Sequence, residues 1–283
     1  MLILRNETVT AITKDLARLP DEQPESKASV DRITEAAKNC GPLSKLARLA
    51  KSVLEEQGFV QIRGFSPTQA RPVFLALASL LGEIYIDPSI GSAIVPAHVR
   101  PGEMLMGNHL RRLPLHTDYS MLEQPPRLTM SFCLRPDPVE EFGAVYVADM
   151  ESVCFGLEDD AEISRLKTVP LPFAARNARE EIDVIDKPIL SKTDDGRLLV
   201  RYHRSRICQG FQVRGARPNG EQLSAMRSFE RLAAAAVQVL HLKAGDITVI
   251  DNHRMVHGRE RCSVEVDVDG TTTGRQMLFV FAY

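Results

Sequence analysis

From about Glu83 onward, this chain is a succession of short β-prone runs separated by glycine, proline and aspartate. Each run is rich in β-branched, aromatic or other apolar side chains and is shorter than a typical helix. The clearest runs are Leu128–Leu134, Ala144–Val147, Leu198–Tyr202, Asp246–Ile250 and Met277–Tyr283. Several short strands joined by turns predict a β-barrel or a β-sandwich.

Helical patterns occur mainly before these runs. Leu43–Glu56 has the i, i+3, i+4 apolar spacing of an amphipathic helix, and we expect Gly58 to end it. A short strand, Phe59–Phe65, and a second helix, Pro67–Leu81, should follow. The alanine-rich segment Gly220–Leu240 predicts one later helix.

These patterns together predict one α+β domain, mainly β, over residues 1–283. Its helical N-terminal part covers about residues 1–82 and includes a polar loop at residues 20–25. Its core, an open β-barrel with helices packed outside, covers about residues 83–283, with a helical insertion at about residues 220–240.

Composition excludes several functional classes. A net charge of −2 gives no electrostatic footprint for nucleic acid or an anionic membrane. The longest apolar runs fall well short of the roughly 20 residues that span a bilayer, and no secretory leader is recognisable near Met1. Five widely spaced cysteines without a Cys-x-x-Cys motif are typical of reduced thiols. We therefore expect a cytoplasmic protein.

The motif His116-Thr117-Asp118 and the distant His257 indicate the chemistry. Two neutral imidazoles and one carboxylate suit a single iron(II) held on one face, with the opposite face open. In an extended segment, His116 and Asp118 project from the same side of a strand. His257 follows an apolar strand and a polar turn, so we expect a rigid barrel strand to carry it.

Two other interpretations of these histidines stay open at this point. Each could be an ordinary structural histidine. His253 and His257 are also four residues apart, as two zinc ligands on a helix would be, but no glutamate follows His253. The Gly245-Asp246 turn disfavours a helix there, so a zinc hydrolase is the minor alternative.

The sequence around both halves of the motif resembles the taurine dioxygenase-like family of iron(II)/2-oxoglutarate oxygenases, and in particular its clavaminate synthase-like relatives. The resemblance covers about Phe59 to Tyr283. One block runs from His116 through Glu123-Gln124-Pro125-Pro126-Arg127 to Asp137. The more specific block combines Gly245-Asp246, Asp251-Asn252-His253-Arg254, His257-Gly258-Arg259 and Gly274-Arg275.

The resemblance implies a double-stranded β-helix, or jelly-roll, core with flanking α-helices. It implies that His116, Asp118 and His257 bind iron(II), that 2-oxoglutarate is the co-substrate, and that O2 oxidises a C–H bond with release of succinate and CO2. It also implies that Arg275 binds the distal carboxylate of 2-oxoglutarate. A guanidinium suits that role because it pairs bidentately with a carboxylate and stays charged.

The chain departs from the family pattern at two places. Val145 stands where the family has a threonine whose hydroxyl helps to bind 2-oxoglutarate, and losing such a bond costs about 1.5–3 kcal/mol. The spacing from His257 to Arg275 is also long, which predicts an extended hairpin over Ser263–Gly270. Because of that spacing, Arg259 and Arg261 remain alternative partners for the carboxylate.

The substrate is poorly defined by sequence. Asn108 and His109 lie just upstream of the motif and are candidates to face a small-molecule substrate, although a solvated loop is an equal explanation. Arg204 belongs to a basic run that includes Arg201, His203 and Arg206; it could receive an anionic substrate or lie on a solvated strand edge. The resemblance favours an amino acid or a derivative in bacterial specialised metabolism.

Two further functions remain possible. Val145 motivates an iron oxygenase of the same fold that does not use 2-oxoglutarate. A jelly-roll protein that only binds its ligand is the other alternative, and the intact triad argues against it. We expect neither nucleic acid nor membrane as a partner, and the sequence leaves a homo-oligomer open.

Overall fold

The computed structural model describes residues 1–17, 26–105, 107–157, 160–176 and 181–283, so the predicted loop at residues 20–25 lies outside it. Its described part contains eight α-helices and one 3-10 turn. The helices are α1 (Asn6–Leu16), α2 (Lys27–Asn39), α3 (Gly41–Gln57), α4 (Ala70–Leu81), α5 (Met150–Cys154), α6 (Ala161–Thr168), α7 (Arg204–Val213) and α8 (Gly220–Ala235), and the turn is Pro67–Gln69.

Seventeen strands accompany these helices in the described ranges. They are β1 (Leu2–Ile3), β2 (Phe59–Arg63), β3 (Ile84–Tyr85), β4 (Val95–His98), β5 (Leu113–His116), β6 (Leu128–Arg135), β7 (Val145–Asp149), β8 (Leu171–Arg176), β9 (Ile182–Lys187), β10 (Leu190–Lys192), β11 (Leu198–Val200), β12 (Val237–Leu240), β13 (Ile247–Asp251), β14 (Met255–Arg259), β15 (Val264–Val266), β16 (Thr272–Gly274) and β17 (Gln276–Ala282).

Two sheets organise the fold. The larger sheet has the order β1-β2-β13-β6-β17-β3, with β4 also paired to β17, and the smaller has the order β12-β7-β14-β5. All pairs in both sheets are antiparallel except β1 with β2. Because β1 and β2 come from the N-terminal part, that part belongs to the larger sheet as well as to the helical layer.

The larger sheet has one apolar and one mixed face because side chains alternate along its strands. On β6, Met130 and Phe132 are buried in the core formed with helices α1 to α4. The intervening Thr129, Ser131 and Cys133 point to the opposite face and are also buried. The polar side chains of this strand are therefore directed away from the helical layer.

The smaller sheet is covered on its outer face by the later helices. Ala148 of β7 and Val256 of β14 pack in one core with Ile163 of α6, Ile207 of α7 and Phe229 of α8.

The inner faces of the two sheets meet each other. Ile250 of β13 packs against Val147 of β7 and Met255 of β14. The side chains on these faces therefore line an interior between the sheets.

Most of the predicted elements are found, with shifts of a few residues at their ends. The predicted helix Leu43–Glu56 is α3, which ends at Gly58 with a φ of 75°. The predicted helix Pro67–Leu81 is the 3-10 turn followed by α4. Gly82 follows it, where an added Cβ would lie 2.1 Å from the carbonyl oxygen of Tyr283.

The predicted helix Gly220–Leu240 is wrong at its end. Helix α8 stops at Ala235, and Val237–Leu240 is strand β12, which pairs with β7 in full register. The Val-Gln-Val-Leu sequence has the alternation of a strand, and cross-strand pairing overrides the helical propensity of the alanines before it.

The basic run after Leu198 is also not a strand edge. Strand β11 ends at Val200, and Arg204 begins helix α7. The predicted hairpin is confirmed, because β15 and β16 pair and are joined by a turn in which Gly270 has a φ of 82°. None of the described helices has the length and apolar content needed to span a bilayer.

Candidate metal centre

Strand pairing brings the three predicted ligands together. His116, the last residue of β5, is the register partner of His257 in the middle of β14. Thr117 turns the other way, and its backbone N–H donates to the carbonyl of Tyr202 at 2.7 Å. Asp118 therefore returns to the side of His116, as the two-residue spacing predicts.

The three side chains form one compact donor set. One ligand atom from each of His116, Asp118 and His257 lies within 4.8 Å of the other two. Asp118 Oδ2 is 3.1 Å from His257 Nε2, and Asp118 Oδ1 is 3.8 Å from His116 Nε2. Among the described residues, no other group of at least three potential ligands from His, Cys, Asp and Glu has this proximity.

The ionisation of this set suits a divalent metal. His116 Nδ1 donates to the carbonyl of Pro114 at 2.8 Å, because a carbonyl can only accept, and this leaves Nε2 with its lone pair. Burial and the nearby His257 lower the pKa of His116 to about 4, so its ring is neutral at physiological pH. Burial alone would raise the pKa of Asp118. The larger combined effect of His257, His116 and Thr129 lowers this pKa below its ordinary value, so the carboxylate is charged.

A second set of contacts fixes Asp118. Its backbone N–H donates to Asn252 Oδ1 at 2.8 Å, and Asn252 Nδ2 donates to the carbonyls of Asp118 and Pro126, each at 3.0 Å. The Thr129 hydroxyl donates to Asp118 Oδ2 at 2.8 Å. The turn before β14 thus holds the backbone of Asp118, and strand β6 holds its carboxylate.

The zinc alternative does not match this arrangement. His253 Nε2 lies 2.9 Å from the carbonyl of Pro125, and His253 is not in the donor set. His253 and His257 are separated by a turn and lie on no common helix.

Arg275 is a buried cation between β16 and β17. The residue is 5 % exposed, and burial lowers the pKa of its guanidinium. Within the described part of the chain it forms no hydrogen bond or ion pair. Asp137 and Cys133 are close enough to oppose the lowering of its pKa. It also borders a cavity of about 240 Å³ together with Gly143 and Lys243. A buried guanidinium with free donors fits an anionic ligand.

Arg259 and Arg261 are used differently. The terminal nitrogens of Arg259 donate to the carbonyls of His109 at 2.7 Å and Arg111 at 2.9 Å, and to Cys262 Sγ at 2.8 Å. Arg261 is exposed and stacks over the Phe142 ring at 4.4 Å. The roles predicted for these two residues remain predictions, and the free donors of Arg275 favour it as the carboxylate partner.

The predicted substrate residues are engaged with the protein. The Asn108 side chain accepts from the backbone N–H of His98 at 3.1 Å. His109 Nδ1 lies 3.1 Å from the carbonyl of Arg111. Arg204 is exposed and paired with Glu230 at 2.6 Å. Their roles toward a substrate stay predictions.

The sequence did not distinguish His203 and Arg206 from the other members of the basic run. The His203 ring packs edge-on against His116 with centroids 5.1 Å apart, and burial together with His116 lowers its pKa to about 3. Arg206 lies in the first turn of α7 and is partly buried. Its charge contributes to the lowered pKa of His203. It forms no hydrogen bond or ion pair with any residue that the structure describes. Their membership of the basic run is the sequence signal that could have indicated them.

Comparisons with known proteins agree with this geometry. A model of the taurine catabolism dioxygenase TauD, TfdA family matches residues 40–279. The chain belongs to this family. It is accordingly an iron(II)/2-oxoglutarate-dependent dioxygenase, as the resemblance in its sequence implied. A search of curated protein sequences found no match.

Solved structures of similar fold include two oxygenases that contain iron. An asparagine oxygenase in complex with Fe(II), (2S,3S)-3-hydroxyasparagine and succinate is 18 % identical, with a TM-score of 0.79 over 99 % of this chain and 92 % of that one. The non-heme iron oxygenase OrfP with Fe, succinate and (3S)-hydroxy-L-Arg is 16 % identical, with a TM-score of 0.73 over 100 % and 93 %. These likenesses concern the fold.

Val145 is one of the positions at which the chain departs from the family pattern. It lies on β7, on the same inner face as Val147, and packs against the apolar group of Val147, Ile250 and Met255. Valine has no hydroxyl, so any second donor to the co-substrate must come from another residue.

Proposed function

We propose that this enzyme hydroxylates a C–H bond of an amino acid or a close derivative, with 2-oxoglutarate as co-substrate. The observation that carries the proposal is the presence of both the donor set His116, Asp118 and His257 and a buried Arg275 that has no partner among the described residues. When bound, iron and 2-oxoglutarate supply the oxidising power from O2, with release of succinate and CO2. We also propose that the two facing sheets form a jelly-roll.

The protein's own residues provide position and a controlled environment. His116 and His257 offer ring nitrogens. Asp118 offers one negative charge; Asn252 binds its backbone, and Thr129 donates to its carboxylate. Arg275 offers a rigid fork of donors for the distal carboxylate of the co-substrate. Burial of these groups excludes water and strengthens their electrostatic contacts.

Arg206 is our candidate for the group that binds the substrate's carboxylate. Its guanidinium is partly buried and lies near His203, which in turn packs against the ligand His116. A cation in such a place loses hydration unless an anion replaces it. The hydroxylated amino acids bound in the similar structures, hydroxyasparagine and hydroxyarginine, carry such a carboxylate.

The cellular setting is a further part of the proposal. All five cysteines are described, and none is in a disulfide, which supports a cytoplasmic protein. The clavaminate synthase-like resemblance supports a role in bacterial specialised metabolism.

The test is a screen of free amino acids for succinate formation, followed by two matched variants. Arg206→Met should raise the KM of the accepted amino acid about tenfold or more, because a charge-assisted hydrogen bond contributes about 1.5–3 kcal/mol. Arg204→Met, in the same helical turn but exposed and paired with Glu230, should leave KM unchanged.

Two outcomes would contradict different parts of the proposal. An unchanged KM in Arg206→Met removes this residue from substrate binding. Oxygen-dependent turnover with iron and substrate but without 2-oxoglutarate would instead favour the alternative oxygenase that Val145 motivates.

A further inference from the structure

The inner wall of the larger sheet carries hydroxyl groups opposite Val145. Thr129 and Ser131 of β6 and Thr248 of β13 are 2 %, 7 % and 1 % exposed. Apolar side chains would be the ordinary occupants of such buried sites, because burying a hydroxyl without a partner costs free energy.

Two of these hydroxyls have no partner among the residues that the structure describes. Thr129 donates to Asp118, as described above. The Thr248 hydroxyl is buried and makes no hydrogen bond within the described ranges. The Ser131 hydroxyl makes none there either, and Ser131 is the direct register partner of Thr248. Two adjacent hydroxyls, on neighbouring strands, are thus left with unused hydrogen-bonding capacity.

Both hydroxyls face the same interior as Val145. Ile250, two residues after Thr248 on β13, packs against Val147, which is two residues after Val145 on β7. Residues two apart in a strand share a face. Thr248 and Val145 therefore lie on the facing inner walls of the two sheets.

Along β6, Ser131 lies between the metal centre and Arg275. At one end, Thr129 touches Asp118. At the other end, Gln276 and Met277, which directly follow Arg275, pair with Arg135 and Cys133 of β6, and the charge of Arg275 acts on the Cys133 thiol. Successive residues on one face of a strand are roughly 6.6 Å apart. Ser131 is thus one step from each end.

We propose that Ser131 and Thr248 bind a carboxylate of 2-oxoglutarate and replace the hydroxyl that Val145 lacks. This inference rests on the proposed use of 2-oxoglutarate. Arg275 supplies charge from the start of β17, and the hydroxyl pair supplies neutral donors from β6 and β13. The co-substrate is then held from the larger sheet rather than from β7.

The test measures anaerobic 2-oxoglutarate affinity by calorimetry on the iron(II)-loaded protein. Ser131→Ala and Thr248→Val should each weaken binding about tenfold, with unchanged iron(II) affinity. Adding Val145→Thr to Thr248→Val should restore much of the lost affinity, since it returns a hydroxyl from the facing wall. Val145→Thr alone is the matched control for the added hydroxyl.

Folding stability provides a readout that is independent of the co-substrate. Thr248→Val removes an unpartnered buried hydroxyl at nearly constant volume, so the Tm of the metal-free protein should stay the same or rise. A clear fall in Tm would show that the hydroxyl has a structural partner and would overturn the proposal.

The binding outcomes separate two failures. Wild-type protein that does not bind millimolar 2-oxoglutarate contradicts the proposed co-substrate itself. Wild-type protein that binds it, together with a Ser131→Ala/Thr248→Val double variant of equal affinity, contradicts only the role of the hydroxyl pair.

Discussion

At the scale of single residues, the metal centre depends on side chains that never reach the metal. Asn252 is 1 % exposed and binds Asp118 through both its amide oxygen and its amide nitrogen. An aspartate in its place would keep the acceptor but lose both donors and add a second negative charge beside Asp118. The amide is therefore the group that this position requires.

We expect Asn252→Ala to reduce both stability and metal affinity. Losing the three hydrogen bonds of this buried side chain should lower the free energy of unfolding by about 2–4 kcal/mol. Loss of support for a ligand should weaken iron(II) binding about tenfold or more. Chemical denaturation and metal titration measure the two effects.

Asn39→Ala is the control for this variant. Asn39 donates one exposed hydrogen bond to the carbonyl of Glu35, so its loss should change stability by less than about 0.5 kcal/mol. Equal effects of the two variants would mean that the Asn252 contacts contribute no more to the free energy of unfolding than one exposed hydrogen bond does.

At the scale of elements, Arg259 at the end of β14 binds the segment before β5, residues 107–112. Its guanidinium donates to the carbonyls of His109 and Arg111, while the backbone N–H of Cys262 donates to the carbonyl of Leu110. The segment has little regular structure of its own, so these contacts fix its path into β5. They also connect it to the strand that carries His257.

Arg259→Met should release this segment. Trypsin should then cleave after the exposed Arg111 or Arg112 about tenfold faster or more, because cleavage follows the free energy of local opening. Mass spectrometry of the early fragments locates the cut. Arg261→Met, two residues away and exposed, should leave the cleavage rate at the wild-type value.

The parallel measurement of Tm separates local from global opening. Accelerated cleavage confined to residues 111 and 112 with a modest change in Tm supports the role of Arg259. A wild-type cleavage pattern in Arg259→Met would show that the remaining hydrogen bonds hold the segment alone.

At the scale of the whole molecule, the metal centre lies where the two sheets meet. His116 and His257 belong to the smaller sheet, and Thr129 of the larger sheet holds Asp118. Each sheet has its own helical layer and apolar core on its outer face. A bound metal therefore couples the two halves of the fold.

Metal binding should consequently stabilise the whole protein. At a hundredfold excess over Kd, ligand binding adds about 2.7 kcal/mol, which corresponds to a Tm increase of about 5–10 °C for a protein of this size. Thermal unfolding with and without Mn(II) tests this. His116→Ala should abolish the increase, whereas His241→Ala, at an exposed position, should retain it.

An increase of equal size in His116→Ala would mean that Mn(II) acts at another site.

Local signals explain what the sequence could predict. Helices α3 and α4 and strands β6, β13 and β17 have clear periodicity and turn residues at their ends, so their positions were predicted closely. The donor set was predicted because each half has a distinctive local pattern. Helix α5 spans five residues and α6 eight, too few for a periodic signal to develop.

Features that depend on contacts between distant segments were missed. Nothing in the sequence near Ser131 or Thr248 reveals that the two hydroxyls are neighbours, because strand register decides this. Arg206 resembles Arg204 in sequence, and only the packing of α7 makes one partly buried and the other exposed. Strand β12 is predicted as helix because the alanines before it favour a helix, and only its pairing with β7 decides in favour of the strand.

The contact between Asp118 and Asn252 spans 134 residues of chain, and this separation determines when the metal site can exist. During synthesis from the N-terminus, a ribosome-bound chain presents His116 and Asp118 long before β14 has been made. Two donors bind a divalent ion far less tightly than three. We therefore expect iron(II) to bind with full affinity only after β14 has been synthesised and has paired with β5.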